Sequence, residues 1–266
     1  MNYLIAVAGA VLASPSIAMA QTSTTDEIAK YRQMLADGNP AELWEARGEG
    51  LWKTKAGSKN ASLEQCDLGK GPGVVKGAYA ELPRYFKDVN KVMDLEQRLV
   101  HCRMSLQGLT RAEAVKTPFG SAGNPSNIEG LVSYVAGESR GMIMAASATH
   151  PAEKRAYELG KQMFFYRGGS HDFACATCHS ASGQRIRLQQ LPNLLEKKDA
   201  QITYATWPAY RVSQGEVRTM QHRLADCYRQ QRFPEPGYAS DSLTALTMYL
   251  AKNAEGATYD GPAMKR

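Results

Sequence analysis

Two cysteines three residues apart, followed at once by a histidine, form the stretch of this chain best suited to chemistry: Cys175-Ala176-Thr177-Cys178-His179. Thiols at that spacing can add across the two vinyl groups of one porphyrin, while the next residue offers an imidazole to the iron from the proximal side. The pattern predicts one covalently attached haem c, with Cys175 and Cys178 as thioethers and His179 as an axial ligand. A zinc half-site would need a second ligand pair at similar spacing, which the other three cysteines, Cys66, Cys102 and Cys227, do not provide. A thioredoxin-like redox pair would sit at the strand-to-helix turn of a βαβ unit, and the chain has no convincing unit of that kind.

Such a centre has to be positioned, and most segments that could do so read as helix. Asn39-Pro40 is a cap followed by proline, opening a helix through Leu43, Trp44 and Ala46. Val92, Leu95, Leu99, Cys102 and Leu106 make one apolar seam at helical spacing, which turns Cys102 inward. Ser126-Asn127-Ile128-Glu129 predicts a capping box that starts an amphipathic helix through Leu131, Val132 and Val135. His150-Pro151 opens another, carrying Gly160 and Phe164, and Ser242 to Lys252 forms the last. Gly160 suits a close crossing of the first and last helices of a cytochrome c fold; it also suits an ordinary amphipathic helix. No alternating run is long enough for a substantial sheet.

Residues 1–20 carry no charged side chain, run apolar from Tyr3 to Ala13 and end in Ala18-Met19-Ala20. An apolar core before a small-x-small site predicts a secretory signal peptide, and the run is too short for a membrane anchor. The expected product is soluble and periplasmic, without a membrane span, in a compartment where haem is attached and disulfides persist. The remainder is long enough for two domains of about 100 to 125 residues. A formal charge of +6 favours anionic small substrates or acidic protein partners. Scattered Lys and Arg in an exported chain argue against nucleic acid.

Internal repetition decides the predicted architecture. Ile128, Leu131, Tyr134, Val135, Ala136 and Gly141 correspond to Leu243, Leu246, Tyr249, Leu250, Ala251 and Gly256 at a constant offset of 115. Arg98-Leu99 followed by Cys102 is echoed by Arg223-Leu224 followed by Cys227 at an offset of 125. Laying Cys66 over Cys175 puts Gly69 and Lys70 where the second cysteine and the histidine should be. The reading is a mainly α protein of two tandem cytochrome c-like domains, 21–148 without haem and 149–266 with it. In the first, Cys66 and Cys102 stand in the places of a thioether and of the residue facing the iron, so they either pair or remain two buried thiols. Cys227 is left over: an inert thiol, a link between chains, or the distal iron ligand. Arg223 precedes it by one helical turn, suited to lower the thiol's pKa or to hold a sulfur oxyanion.

These features together resemble the SoxA family, the catalytic cytochrome subunits of the SoxAX complex of periplasmic thiosulfate oxidation. The residues that carry the resemblance span most of the chain beyond the leader: Asn60 to Cys66, Gly71 to Val74, Leu82 to Phe86, Glu138 to Gly141, the haem motif, and Arg223 to Cys227. With no second cysteine or histidine after Cys66, the chain resembles the monohaem kind with a disulfide between Cys66 and Cys102. The resemblance implies an L-cysteine S-thiosulfotransferase that joins thiosulfate oxidatively to a cysteine of the carrier SoxYZ. It implies Cys227 as distal haem ligand and sulfur carrier, Arg223 as the anion's anchor, and electrons leaving through the partner SoxX to a soluble cytochrome c. The alternative is a monohaem electron carrier, or a haem subunit of a dehydrogenase, in which Met220 or Met248 would be the sixth ligand.

Overall fold

Proline and short polar caps start the helices that build this molecule, and small hairpins space them. The structure is a computed structural model describing residues 38–121, 123–186 and 189–265; the predicted signal peptide lies outside these residues. In chain order the elements are α1 (Ala41–Lys53), β1 (Arg84–Phe86), β2 (Lys91–Met93), α2 (Leu95–Ser105), α3 (Arg111–Ala114), α4 (Asn127–Gly137), α5 (Pro151–Phe165) and α6 (Cys175–His179). Then follow β3 (Arg185–Ile186), β4 (Gln189–Gln190), α7 (Lys197–Tyr204), β5 (Ala209–Arg211), β6 (Glu216–Arg218), α8 (Met220–Gln230), α9 (Asp241–Asn253) and β7 (Ala263–Lys265). The strands are minor: β1–β2 and β3–β4 are antiparallel pairs, and β5 lies between antiparallel β6 and parallel β7.

Each half is organised around a crossing that only glycine permits. A Cβ on Gly48 of α1 would fall 2.0 Å from the Gly130 carbonyl oxygen of α4, and one on Gly160 of α5 would fall 2.0 Å from the Ala245 carbonyl oxygen of α9. Gly130 and Ala245 are equivalent under the 115-residue offset. The expectation for Gly160 as a crossing residue is met, and Gly48 is its counterpart, which periodicity did not single out.

The helices that follow the two larger hairpins also correspond. Asp94 caps α2 by accepting from Gln97 N at 2.8 Å, and Thr219, its equivalent at an offset of 125, caps α8 by accepting from His222 N at 3.2 Å. A polar acceptor at this position satisfies a backbone N–H the helix cannot bond internally.

The halves join around a local pseudo-two-fold. Ile143 and Thr258, equivalent at an offset of 115, bridge each other in antiparallel sense. Around them Gly141 N donates to Tyr259 O while Gly256 N donates to Met144 O, and Met144 N donates to Ala257 O while Tyr259 N donates to Met142 O. Each pair of bonds is the other's image under the repeat. Apolar residues from both halves share one core, including Leu99, Leu131, Leu243, Leu246 and Tyr259.

Two local expectations change. Val92 belongs to β2 and not to the helix, which begins at Leu95; it still faces inward because the hairpin folds against that helix. Ser126 caps α4 through Ile128 N at 3.1 Å, so no capping box forms there. Glu129 turns instead to Arg218 of the other half at 3.0 Å and to Gly120 N at 2.8 Å. A fully buried carboxylate gains more from a cation and a buried N–H together than from the one N–H at the helix N-cap.

Candidate functional site

Cys175, Cys178 and His179 sit on the single turn of α6, so that spacing of three brings the two thiols to one side. Ala174 N donates to Thr177 Oγ1 at 2.9 Å and fixes the start of the turn. The His179 ring is held from behind. Its Nδ1 lies 3.0 Å from the Pro192 carbonyl oxygen, which can only accept, so the proton sits on Nδ1 and Nε2 keeps its lone pair. A hydrogen bond from the far nitrogen to a backbone carbonyl is the usual support of a metal-binding imidazole. Burial pushes the His179 pKa down, and the nearby Arg223 adds to that against the Pro192 contact, so the ring is held neutral.

Helix α8 presents Arg223 and Cys227, and together with α6 it lines a cavity of about 430 Å³. Its apolar lining comes from several elements, including Phe164, Leu194, Trp207 and Leu246. Cys175, His179, Arg223 and Cys227 all line it. Burial pushes the Cys175 thiol up to about 12, with Cys227 adding to it, and the Cys227 thiol is pushed up because burial outweighs the pull of Arg223. The arginine alone therefore does not make Cys227 a thiolate, contrary to what its position one turn earlier suggests.

Arg223 Nη1 donates to Asp226 Oδ2 at 3.2 Å, and Asp226 also receives Gln230 Nε2 at 2.7 Å and the guanidinium of Arg229. This carboxylate was not singled out from sequence; its adjacency to Cys227 was the available signal. Arg211, on β5, lines the same cavity and was also missed, because it lies on a strand outside any motif. Met220 lines the cavity from the first turn of α8, whereas Met248 is fully buried in α9 and is not part of the lining.

In the N-terminal half, Cys66 and Cys102 are joined by a disulfide, with Cα atoms 5.7 Å apart. Leu68, Leu82 and Leu99 are buried in the same cluster. Lys70, standing where the histidine would be, pairs with Glu81 on a partly exposed surface.

A largely apolar cavity lined by a neutral imidazole, the Cys227 thiol and the first thiol of the Cys-x-x-Cys-His turn fits a flat, iron-bearing tetrapyrrole. Among the described residues no cluster of three or more His, Cys, Asp or Glu side chains is arranged to hold a metal ion directly. The SoxA/TsdA cytochrome c domain model matches residues 47–144 and 159–259, taking up both halves.

The chain belongs to the SoxA/TsdA cytochrome c family. Its fold is accordingly mainly α, with two tandem cytochrome c-like domains, and the family carries a c-type haem. The chain is 50% identical over 261 residues to the L-cysteine S-thiosulfotransferase subunit SoxA of Hydrogenophilus thermoluteolus, covering 96% of this chain and 95% of that protein. It is 33% identical to a subunit of the same description from Hydrogenobacter thermophilus, covering 92% and 91%. The crystal structure of SoxXA from P. pantotrophus superposes with a TM-score of 0.72 at 26% identity, covering 89% of this chain and 84% of that one. Among the described residues of this family member no helix is long and apolar enough to cross a membrane.

Proposed function

We propose that this chain is the catalytic SoxA subunit of a periplasmic SoxAX-type cytochrome, an L-cysteine S-thiosulfotransferase that conjugates thiosulfate to the cysteine of a SoxYZ-type carrier. The observation that carries the reading is the one cavity lined by His179 of the Cys-x-x-Cys-His turn and by Cys227 with Arg223. In this reading the leader 1–20 is removed on export, 21–148 is a domain without haem, and 149–266 binds one haem covalently through Cys175 and Cys178. His179 and Cys227 are the residues that would hold its iron. When bound, the haem supplies a one-electron acceptor beside the reacting sulfur. The partner is a SoxX-type cytochrome, which passes electrons to a soluble cytochrome c; neither nucleic acid nor a membrane is engaged.

The chain's own residues do three things. Arg223 binds the sulfonate end of thiosulfate by charge-assisted hydrogen bonds and directs the sulfane sulfur at Cys227 Sγ. Cys227 forms a sulfur–sulfur bond with that sulfane sulfur, losing its proton while two electrons leave to the cytochrome chain. The carrier thiolate then attacks the sulfane sulfur, a carrier S-thiosulfonate forms, and Cys227 departs as thiolate, ready for the next thiosulfate. The raised thiol pKa of Cys227 opposes the first step, and iron binding to the sulfur would relieve it, because coordination favours the deprotonated form.

Cys227→Ala, purified with its partner and carrier, is expected to lose thiosulfate conjugation while keeping covalent haem. Conjugation at the parental rate would overturn the reading. A methionine charge-transfer band in the ferric spectrum of the parent protein would favour a plain electron carrier.

A further inference from the structure

Arg211 is the side chain near the cavity whose placement the site as described leaves unexplained. It ends β5, one hairpin ahead of α8, and lines the cavity together with Arg223 and Cys227. Its Nε is buried and makes no hydrogen bond. A buried guanidinium N–H without an acceptor is costly, and proteins retain few of them without a reason.

Its electrical surroundings point the same way. Arg211 is repelled by Arg223 and attracted by Asp226. Asp226 is already occupied by Arg223, Gln230 and Arg229. Among the described residues the cavity lining holds Arg211, Arg223 and Lys265 against the carboxylate of Asp199, so positive charge is in excess there. Two like charges held together inside a partly apolar cavity favour a bound anion.

The N-terminal half supplies an internal control. At an offset of 125 the counterpart of Arg211 is Phe86, and the counterpart of Arg223 is Arg98. There Arg98 is buried and complete. Its guanidinium lies 4.1 Å from the centre of the Phe86 ring, Nε donates to Asp67 O at 2.7 Å, and Nη1 donates to Asp88 Oδ2 at 2.8 Å. Where the helix cysteine is locked in a disulfide, the hairpin offers an aromatic ring that satisfies the arginine. Where the cysteine is free, the same register position offers a second cation.

We infer that Arg211 and Arg223 together form a two-arginine clamp for the sulfonate oxygens of thiosulfate, with Arg211 the residue that selects an oxyanion-bearing sulfur compound. The inference rests on the proposed thiosulfotransferase reading. Two guanidinium forks can share three equivalent oxygens, leaving the terminal sulfane sulfur, the softer nucleophilic end of the dianion, toward Cys227. A sulfur compound without an oxyanion, such as hydrogen sulfide, would leave the clamp unpaired.

The test uses Arg211→Gln and Arg211→Lys in the haem-loaded chain with its cytochrome partner, with Arg211→Met as a variant that keeps the packing of the stem. Thiosulfate is titrated against the ferric haem spectrum for Kd, and carrier conjugation is measured for KM and kcat. Loss of one charged donor should raise both Kd and KM about 10- to 100-fold while kcat stays within about 3-fold, and Lys should recover part of the loss. Haem content and potential should not move. Unchanged Kd and KM in all three variants would overturn the clamp. So would a shift in haem potential at constant Kd, which would mean that Arg211 anchors a haem carboxylate instead. A Cys227→Ala protein that still loads the carrier would instead overturn the reading beneath it.

Discussion

The N-terminal and C-terminal halves solve one packing problem in two ways. Both cross their outer helices over a glycine, follow a hairpin with an Arg-Leu-x-x-Cys helix, and leave a cysteine facing inward. In the first half that cysteine closes on Cys66, and Phe86, Leu68 and Leu99 are buried there. In the second, Cys227 and Cys175 remain apart as free thiols lining an open cavity. The difference teaches that one scaffold can close its interior with a covalent link and an aromatic ring or leave it as a lined cavity. The positions that differ are the helix cysteine, bonded in one half and free in the other, and the hairpin residue, Phe86 in one half and Arg211 in the other.

If the disulfide replaces part of what haem packing contributes, removing it should injure the first half and spare the chemistry of the second. The double variant Cys66→Ala, Cys102→Ala should lose roughly 3 to 4 kcal/mol of stability for the 36-residue separation it closes. Denaturant unfolding checks the loss, and haem content with thiosulfate conjugation at low temperature should hold. A variant that stays as stable but loses conjugation would break the comparison.

Next in size are the two helix crossings. Gly48→Ala and Gly160→Ala each drive a methyl group into a backbone carbonyl, and each should cost about 1 to 3 kcal/mol in thermal unfolding. Comparable losses would show that the crossings still carry equal weight after the halves diverged. A loss confined to Gly160→Ala would show that only the cavity-bearing half depends on close approach.

A separate effect, spread over a range of pH, concerns the seam. Asp94 and Glu96 of the first half meet Thr219 and Gln221 of the second, their own equivalents at an offset of 125: Thr219 Oγ1 and Gln221 N donate to Glu96 at 2.9 and 3.0 Å, and Gln221 Nε2 donates to Asp94 at 2.6 Å. Both carboxylates are held by neutral donors. Burial, together with the neighbouring Asp94 charge, raises the Glu96 pKa to about 8, and burial raises that of Asp94. The folded state then holds a proton that the unfolded chain releases from its ordinary value of 4.5 upward. Stability should therefore fall as pH rises from that value through about 8. The slope should be on the order of 1 kcal/mol per pH unit. Glu96→Gln, which makes the seam residue match Gln221, should flatten that slope in unfolding experiments run across pH. An unchanged slope would assign the proton elsewhere.

Local chemistry was legible where one element carries it. Cys175, Cys178 and His179 lie within one helical turn, Arg223 and Cys227 lie on one face of α8, and the matched helices α4 and α9 announce the duplication. Features that join distant segments were not legible. Glu129 has the spacing of a capping residue but spends its charge on Arg218, 89 residues away. Val92 fits a helical seam and a hairpin equally well, since both put it on the inner side. Gly48 looks ordinary until Gly130 is laid against it.

Residue order thus determined the type of cofactor chemistry, the two-fold repetition and the odd cysteine, because each depends on spacings of a few residues or on direct likeness between segments. Only the tertiary structure decided that Cys66 reaches Cys102, that burial outweighs Arg223 at Cys227, and that Arg211 arrives beside Arg223. Those outcomes depend on how hairpins and helices far apart in the chain are packed, and on desolvation, which exists only once the interior has formed.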